Sequence, residues 1–332
     1  MTGRTALKPE RDFLRAEGLR ARGFFNKAIA LYGRVLSASN ALADPVLWVE
    51  AACAEAAARR GLGDAKGARA RLRRAKLLSA RPGLRSFRRK IELEDALVDR
   101  AQGSYARAVR RLDRLLKGSL AGKDWEEAAF ILWALGGAFR FQGGLKASRN
   151  AFSKSLALAR RAGDPTGEGY ALFGLGGVSR VMGRLEESAR HYSRALRAFE
   201  GTDDIFAKAY AQCGFANALR QLGRLREAER RYLVARRLYS RIEDEPDLAY
   251  VEWGLGKICL QRGELSRAAK LLGRASALFA KHKETRGMVL ADVALAQALH
   301  AGGKTRLAES LFEKAVRLAR RRRIHAHLEV FT

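Results

Sequence analysis

The stretch Val181-Met182-Gly183-Arg184-Leu185-Glu186-Glu187-Ser188-Ala189 decides the fold. It reads as the end of one helix, a glycine turn and the start of a second helix. A residue just past a helix end often takes a left-handed conformation, which costs glycine little. The same glycine recurs at Gly23, Gly63, Gly103, Gly143, Gly183, Gly223, Gly263 and Gly303, 40 residues apart throughout. A fixed spacing kept over a whole chain is the signature of a repeat array in which each unit packs on its neighbours.

The surroundings of each glycine repeat too. Five residues after it stands a small residue (Ala28, Ala68, Ala108, Ser148, Ser188, Ala228, Ala268, Ala308). Nine after it stands a large apolar one (Tyr32, Leu72, Leu112, Phe152, Tyr192, Tyr232, Leu272, Phe312), and twelve after it a small or apolar one, such as Ala195. Offsets of five, nine and twelve share one helix face. Before the glycine, pairs such as Leu135-Gly136, Leu175-Gly176 and Leu255-Gly256 let two helices approach closely.

Leu175, Gly176, Gly183, Ser188, Tyr192 and Ala195 stand where the tetratricopeptide repeat (TPR) has its Leu-Gly, turn Gly, Ala, aromatic and Ala positions. The pattern resembles that family over nearly the whole chain. Its length resembles the 40-residue subclass of Pins/LGN-type scaffolds and some bacterial TPR regulators. The resemblance implies an all-α, right-handed α-solenoid of about eight helix pairs (A and B), with peptide binding along the A helices. In the first three repeats Arg15, Glu55 and Asp95 replace an apolar residue of helix A. The expected organisation is a tail over 1–8, the solenoid over 9–324 and a second tail over 325–332.

Composition narrows the function classes. The chain has 332 residues, with 64 Lys and Arg against 35 Asp and Glu, a formal charge of +29. Such an excess points to an acidic partner: an acidic protein segment, nucleic acid or an anionic surface. Cys53, Cys213 and Cys259 lack zinc or redox spacing and read as packing residues of a chain in a reducing compartment, the cytoplasm. The longest near-apolar run, 128–139, is too short for a membrane span. The serines, histidines and carboxylates form no catalytic or metal-binding constellation, so no enzyme activity, cofactor or metal is expected. His325 and His327 make at most a weak metal pair in the tail.

Two candidate surfaces follow. The first is the groove of the A helices: Phe130, Tyr170, Tyr210 and Tyr250, thirteen residues before the glycine, and Trp133, Phe173 and Trp253, ten before it. Arg140, Arg180 and Arg220 stand three before it, and Asn217 and Lys257 six before it. Together they would give an aromatic floor with an arginine edge, suited to carboxylates. The other reading makes several of these aromatics inter-repeat core. The second candidate is a basic patch: Arg69, Arg71, Arg73, Arg74, Arg85, Arg88, Arg89 and Lys90, with Arg320, Arg321, Arg322 and Arg323 near the end. Residues 59–117 alone carry 19 basic side chains against 6 acidic ones. The patch reads either as a phosphate-binding surface or as a solvated face.

The leading expectation is therefore a non-enzymatic adaptor for an acidic protein segment or subunit. The alternatives are a nucleic-acid-associated factor without sequence specificity and the sensor or output module of a bacterial regulator. The apolar residues of the last helix, Leu307, Leu311 and Phe312 among them, make that end either an assembly surface for a partner or second copy, or a patch plugged by Ile324, Leu328, Val330 and Phe331.

Overall fold

A computed structural model describes residues 8–39, 44–322 and 324. Among them are sixteen α-helices, one short 3-10 turn and no strand, so the chain is an all-α solenoid of helix pairs. The A helices are α1 (Lys8–Ala21), α3 (Pro45–Gly61), α5 (Phe87–Ala101), α7 (Trp125–Phe141), α9 (Pro165–Val181), α11 (Ile205–Gln221), α13 (Glu245–Gln261) and α15 (Thr285–Ala301). The B helices are α2 (Phe25–Ala38), α4 (Ala65–Leu78), α6 (Tyr105–Ala121), α8 (Leu145–Ala162), α10 (Leu185–Phe199), α12 (Leu225–Arg241), α14 (Leu265–Lys281) and α16 (Thr305–Arg321). The chain divides into two compact units, Met1–Gly174 with Ala198–Asp204, and Leu175–Arg197 with Ile205–Thr332.

The turn between helices A and B is the one the glycines predict. Gly183 has φ +75°, and the other seven glycines of the row are also at positive φ. The turn back from B to A uses a second left-handed residue, which is a glycine at Gly163 (φ 67°) but carries a side chain at Lys123 (φ 57°), Glu243 (φ 59°) and Lys283 (φ 56°). The acid that follows caps the next helix. Asp124 accepts from the Glu127 amide at 3.0 Å and Asp244 from the Asp247 amide at 3.1 Å. Both satisfy first-turn N–H groups that have no partner within the helix.

Close approach of the helices explains the stacking. In the first unit the Phe152 ring lies where a Cβ on Gly136 or Gly174 would come within 2.8 Å or 2.3 Å of it. In the second unit Tyr192 fills the same kind of hole, against Gly176 at 3.0 Å and Gly214 at 2.4 Å. One large side chain of helix B thus sits between a glycine of its own A helix and a glycine of the next. Tyr32, Leu112, Tyr232 and Leu272 of the same row are wholly buried, whereas Phe312 in α16 is 49% exposed. Leu307 is exposed beside it in sequence, and Ile324 is half-buried, its N–H donating to Ala319 O at 2.9 Å. Leu328, Val330 and Phe331 lie outside the described residues, as do Arg323 and the His325 and His327 pair.

Candidate functional site

In the first unit the A helices bring three of the expected residues together. Phe130 stacks on Trp133 with ring centroids 5.7 Å apart, and Trp133 meets Tyr170 edge-on at 5.6 Å. Tyr170 in turn packs on Phe199 at 5.3 Å and donates its hydroxyl to Asp204 Oδ2 at 2.9 Å. Spacings of three and four along α7 put Phe130, Trp133 and Gly137 on one face. Phe130 is 39% exposed and Trp133 half-buried, so the strip presents aromatic surface to solvent, while Phe173 is buried. The basic edge of this strip is Arg100, whose guanidinium carbon lies 4.9 Å from the Trp133 ring centre. A Cβ on Gly137 would meet Arg100 Nη1 at 2.6 Å, so the bare backbone there accommodates the arginine. Arg140 lies instead over Phe141, at 5.1 Å. Arg20, Arg60 and Arg100 share the offset of Arg140 from their own glycines; extending the arginine row backward through the sequence would have found them.

In the second unit the expected residues are more deeply set. Trp253 is only 1% exposed; its Nε1 donates to Leu290 O at 3.3 Å. Tyr250 packs edge-on against Phe279 at 4.7 Å and donates to Glu284 Oε2 at 3.1 Å. Tyr210 stacks on Phe206 at 5.6 Å, and Lys257 Nζ donates to Gln297 Oε1 at 3.4 Å. Arg180 and Arg220 are buried, at 4% and 6% exposure. Arg220 lies over the Trp253 ring at 5.3 Å, beside Tyr232, whose hydroxyl donates to Asn217 Oδ1 at 2.7 Å. Burial pushes the Tyr232 phenol and the Cys213 thiol up to about 12, although Arg180 and Arg220 pull both down. Both groups are therefore neutral at physiological pH and bring no negative charge to the arginines.

Five residues of the basic patch are engaged within the protein. Arg69 bridges Asp95 and Asp99, at 2.8 and 2.7 Å. Arg71 pairs with Glu55 at 2.8 Å. Arg89 holds Glu127 at 2.5 Å, Ser119 Oγ at 2.7 Å and Leu115 O at 2.8 Å. Arg88 donates to Ser79 O at 3.1 Å, and Arg74 lies over Trp48 at 4.9 Å. Glu55 and Asp99 are completely buried, so these pairs are part of the helix packing. Arg73, Arg85, Lys90 and Arg320, Arg321 and Arg322 are exposed.

Among the described residues no group of three or more His, Cys, Asp and Glu side chains could hold a metal ion, and no helix is long and apolar enough to cross a membrane. Cys53 and Cys259 are buried like Cys213, and burial pushes their thiols up to about 12 and about 11.

Solved structures share the fold. A Rap protein complexed with Competence and Sporulation Factor superposes with a TM-score of 0.64 at 14% identity, covering 98% of this chain and 94% of that one. The apo form of RapI gives 0.62 at 12% identity, covering 83% and 99%. BtubC (BKLC) from P. vanneervenii gives 0.53 at 19% identity, covering 67% and 91%. No curated protein matches the sequence. The family model of the MalT-like TPR region matches residues 116–283, just over half of the chain, and the protein belongs to that TPR family.

Proposed function

We propose that this protein is a non-enzymatic TPR scaffold that holds a segment of a partner protein, acidic in character, against its A helices. The observation that carries this reading is the strip Phe130–Trp133–Tyr170, a partly exposed aromatic surface edged by Arg100. Aromatic side chains offer large, stiff contact area, and an arginine beside them supplies a planar donor fork for carboxylates. The engagement of Arg69, Arg71 and Arg89 with internal carboxylates favours a protein partner over a phosphate backbone, because those charges are already compensated. The solved Rap structure, with a factor bound on a similar fold, lends support. The 40-residue spacing supports a likeness to the longer-repeat scaffolds of Pins/LGN type, and the MalT-like match favours a compatible role as the sensor or output module of a bacterial regulator. Three buried free cysteines suit a cytoplasmic setting.

The test is selection of peptides from a display library on the immobilised full chain, followed by titration of the best binder. Phe130→Ala and Trp133→Ala should each weaken it by about tenfold or more, the loss expected for a central aromatic contact. Equal affinity for both variants and the parent chain would remove the strip from the function.

A further inference from the structure

In the first unit, Arg69 and Arg71 meet the buried carboxylates of Asp99 and Glu55. The outward cations of the second unit's B helices have no such partners. Offsets of seven and fourteen from the turn glycines fall on Arg190 and Arg197 in α10, Arg230 and Arg237 in α12, and Lys270 in α14. All five side chains are exposed. Their face lies opposite the row of Tyr192, Tyr232 and Leu272, which is buried. None of the five forms an ion pair with a carboxylate among the described residues.

The acids of the same helices are taken by other cations. Glu187 lies 3.6 Å from Arg184 and 3.5 Å from His191. Glu227 accepts from Arg224 through both oxygens, at 2.7 and 2.8 Å. Arg230 acts on Glu227 through its charge but gives it no hydrogen bond. Glu229 holds Arg262 at 2.7 Å and Arg267 at 3.3 Å. Helix α14 has no acid at all. The carboxylates therefore gather toward the starts of α10 and α12, and the outward rows are left basic.

Seven residues of helix rise about 10 Å. The row Arg190, Arg230, Lys270 thus runs about 10 Å from the row Arg197, Arg237, close to the ~12 Å width of the DNA major groove. Arg194 and Arg274 stand between the rows at offset eleven.

We propose that this face of α10, α12 and α14 binds the phosphate backbones of duplex DNA, each row following one strand. A regular polyanion matches cations that recur with every repeat, and the guanidinium fork suits phosphate oxygens. Asn and Gln, which read adenine, are absent from all three helices, so the contact is to backbone and insensitive to sequence. No aromatic side chain is exposed on these helices, which leaves no platform for the stacked bases of a single strand. No large apolar one is exposed either, as insertion into a membrane surface would need. The face shares no residue with the aromatic strip of the A helices and does not rest on it.

The experiment titrates the full chain into two unrelated, fluorescein-labelled duplexes of about two helical turns, read by anisotropy between about 50 and 200 mM salt. The expected result is equal affinity for the two sequences and a slope of log affinity against log salt of about −4 to −5, the value for five phosphate contacts. Replacing Arg190, Arg230 and Lys270 together by Gln should weaken binding about tenfold or more and make the slope shallower by about 3. A control that loses the same charge elsewhere, Arg73→Gln with Arg85→Gln and Lys90→Gln, should keep the slope. Circular dichroism checks that both variants retain their helices; all six replaced side chains are exposed. No duplex binding at the lowest salt, a strong preference between the two sequences, or an equal change of slope in the two variants would each overturn the proposal. So would tighter binding of a single strand than of the duplex. Binding to vesicles of phosphatidylserine and phosphatidylcholine in place of the duplex would overturn it as well and assign the rows to a membrane surface.

Discussion

Arg71 Nε lies 2.8 Å from Glu55 Oε2, joining the two helices of the second repeat through a carboxylate that is completely buried. Arg59 reaches the other oxygen of Glu55, at 2.7 Å. In the fifth and seventh repeats the position of Glu55 is taken by Leu175 and Leu255. The ion pair thus does the work of an apolar contact. Removing one partner leaves a buried charge alone, which costs about 3–5 kcal/mol, whereas replacing both by apolar groups of similar volume is close to neutral. Arg71→Ala retains Arg59 as a partner of Glu55 and should cost less than Glu55→Ala, which strands Arg71 and leaves Arg59 only Asp64, at 2.8 Å. The double change Glu55→Leu with Arg71→Leu should recover most of the loss. Chemical denaturation of the three variants checks this order; a double variant as unstable as Glu55→Ala would contradict it.

Two glycines of the second unit should fail for different reasons. Gly183 has φ +75° with open space around its missing Cβ, so its constraint is backbone conformation alone. Gly183→Ala should cost about 1 kcal/mol and Gly183→Asn less, because asparagine tolerates the left-handed region. Gly254 lies inside α13, where an added Cβ would come within 2.3 Å of the Tyr232 ring. Gly254→Ala should cost about 1–3 kcal/mol by overpacking, and Gly254→Ala with Tyr232→Leu should cost less than the sum of the two single changes. Additive losses would show that the ring and the glycine do not share a hole.

Asp244 gives the protein a pH-dependent weakness. Burial raises its carboxyl from the usual 3.8 to about 6. Burial and the neighbouring Asp244 and Glu284 charges push Asp247 up as well. A carboxyl whose pKa is higher in the folded state favours folding while protonated. Its contribution is complete below the unfolded value of 3.8 and is lost as pH rises through about 6. Asn caps a helix as well as Asp does and carries no charge. The melting temperature of Asp244→Asn should therefore exceed that of the parent at pH 7.5, with the gap shrinking toward pH 4. A gap that widens as the pH falls would reverse the assignment.

The rows of side chains that set the fold were legible in the sequence because each repeats on a fixed offset. Ala228, Tyr232 and Ala235 are all buried on one face of α12, as the offsets of five, nine and twelve require. The partners of the arginines were not legible. Arg69 and Arg73 look alike in the charged run, and only the fold brings Arg69 to Asp95 and Asp99, 26 and 30 residues further along the sequence. Nor does sequence give depth. Arg220 and Arg100 share one offset, and each lies over a tryptophan of the next repeat, Trp253 and Trp133. Yet Trp253 is wholly buried and Trp133 is not, since cover depends on neighbours that vary from repeat to repeat. The left-handed Lys123, Glu243 and Lys283 were missed because they carry side chains where glycine would be the usual signal.

The most direct measurement is hydrogen exchange of the full chain, followed by mass spectrometry, with and without a saturating peptide selected from the display library. Ordering a segment against the A helices slows exchange where it lies. The account predicts new protection in α7 and α9, around Phe130, Trp133 and Tyr170, with little change in α6 and α8. Protection confined to α6 and α8, or none at saturation, would contradict it.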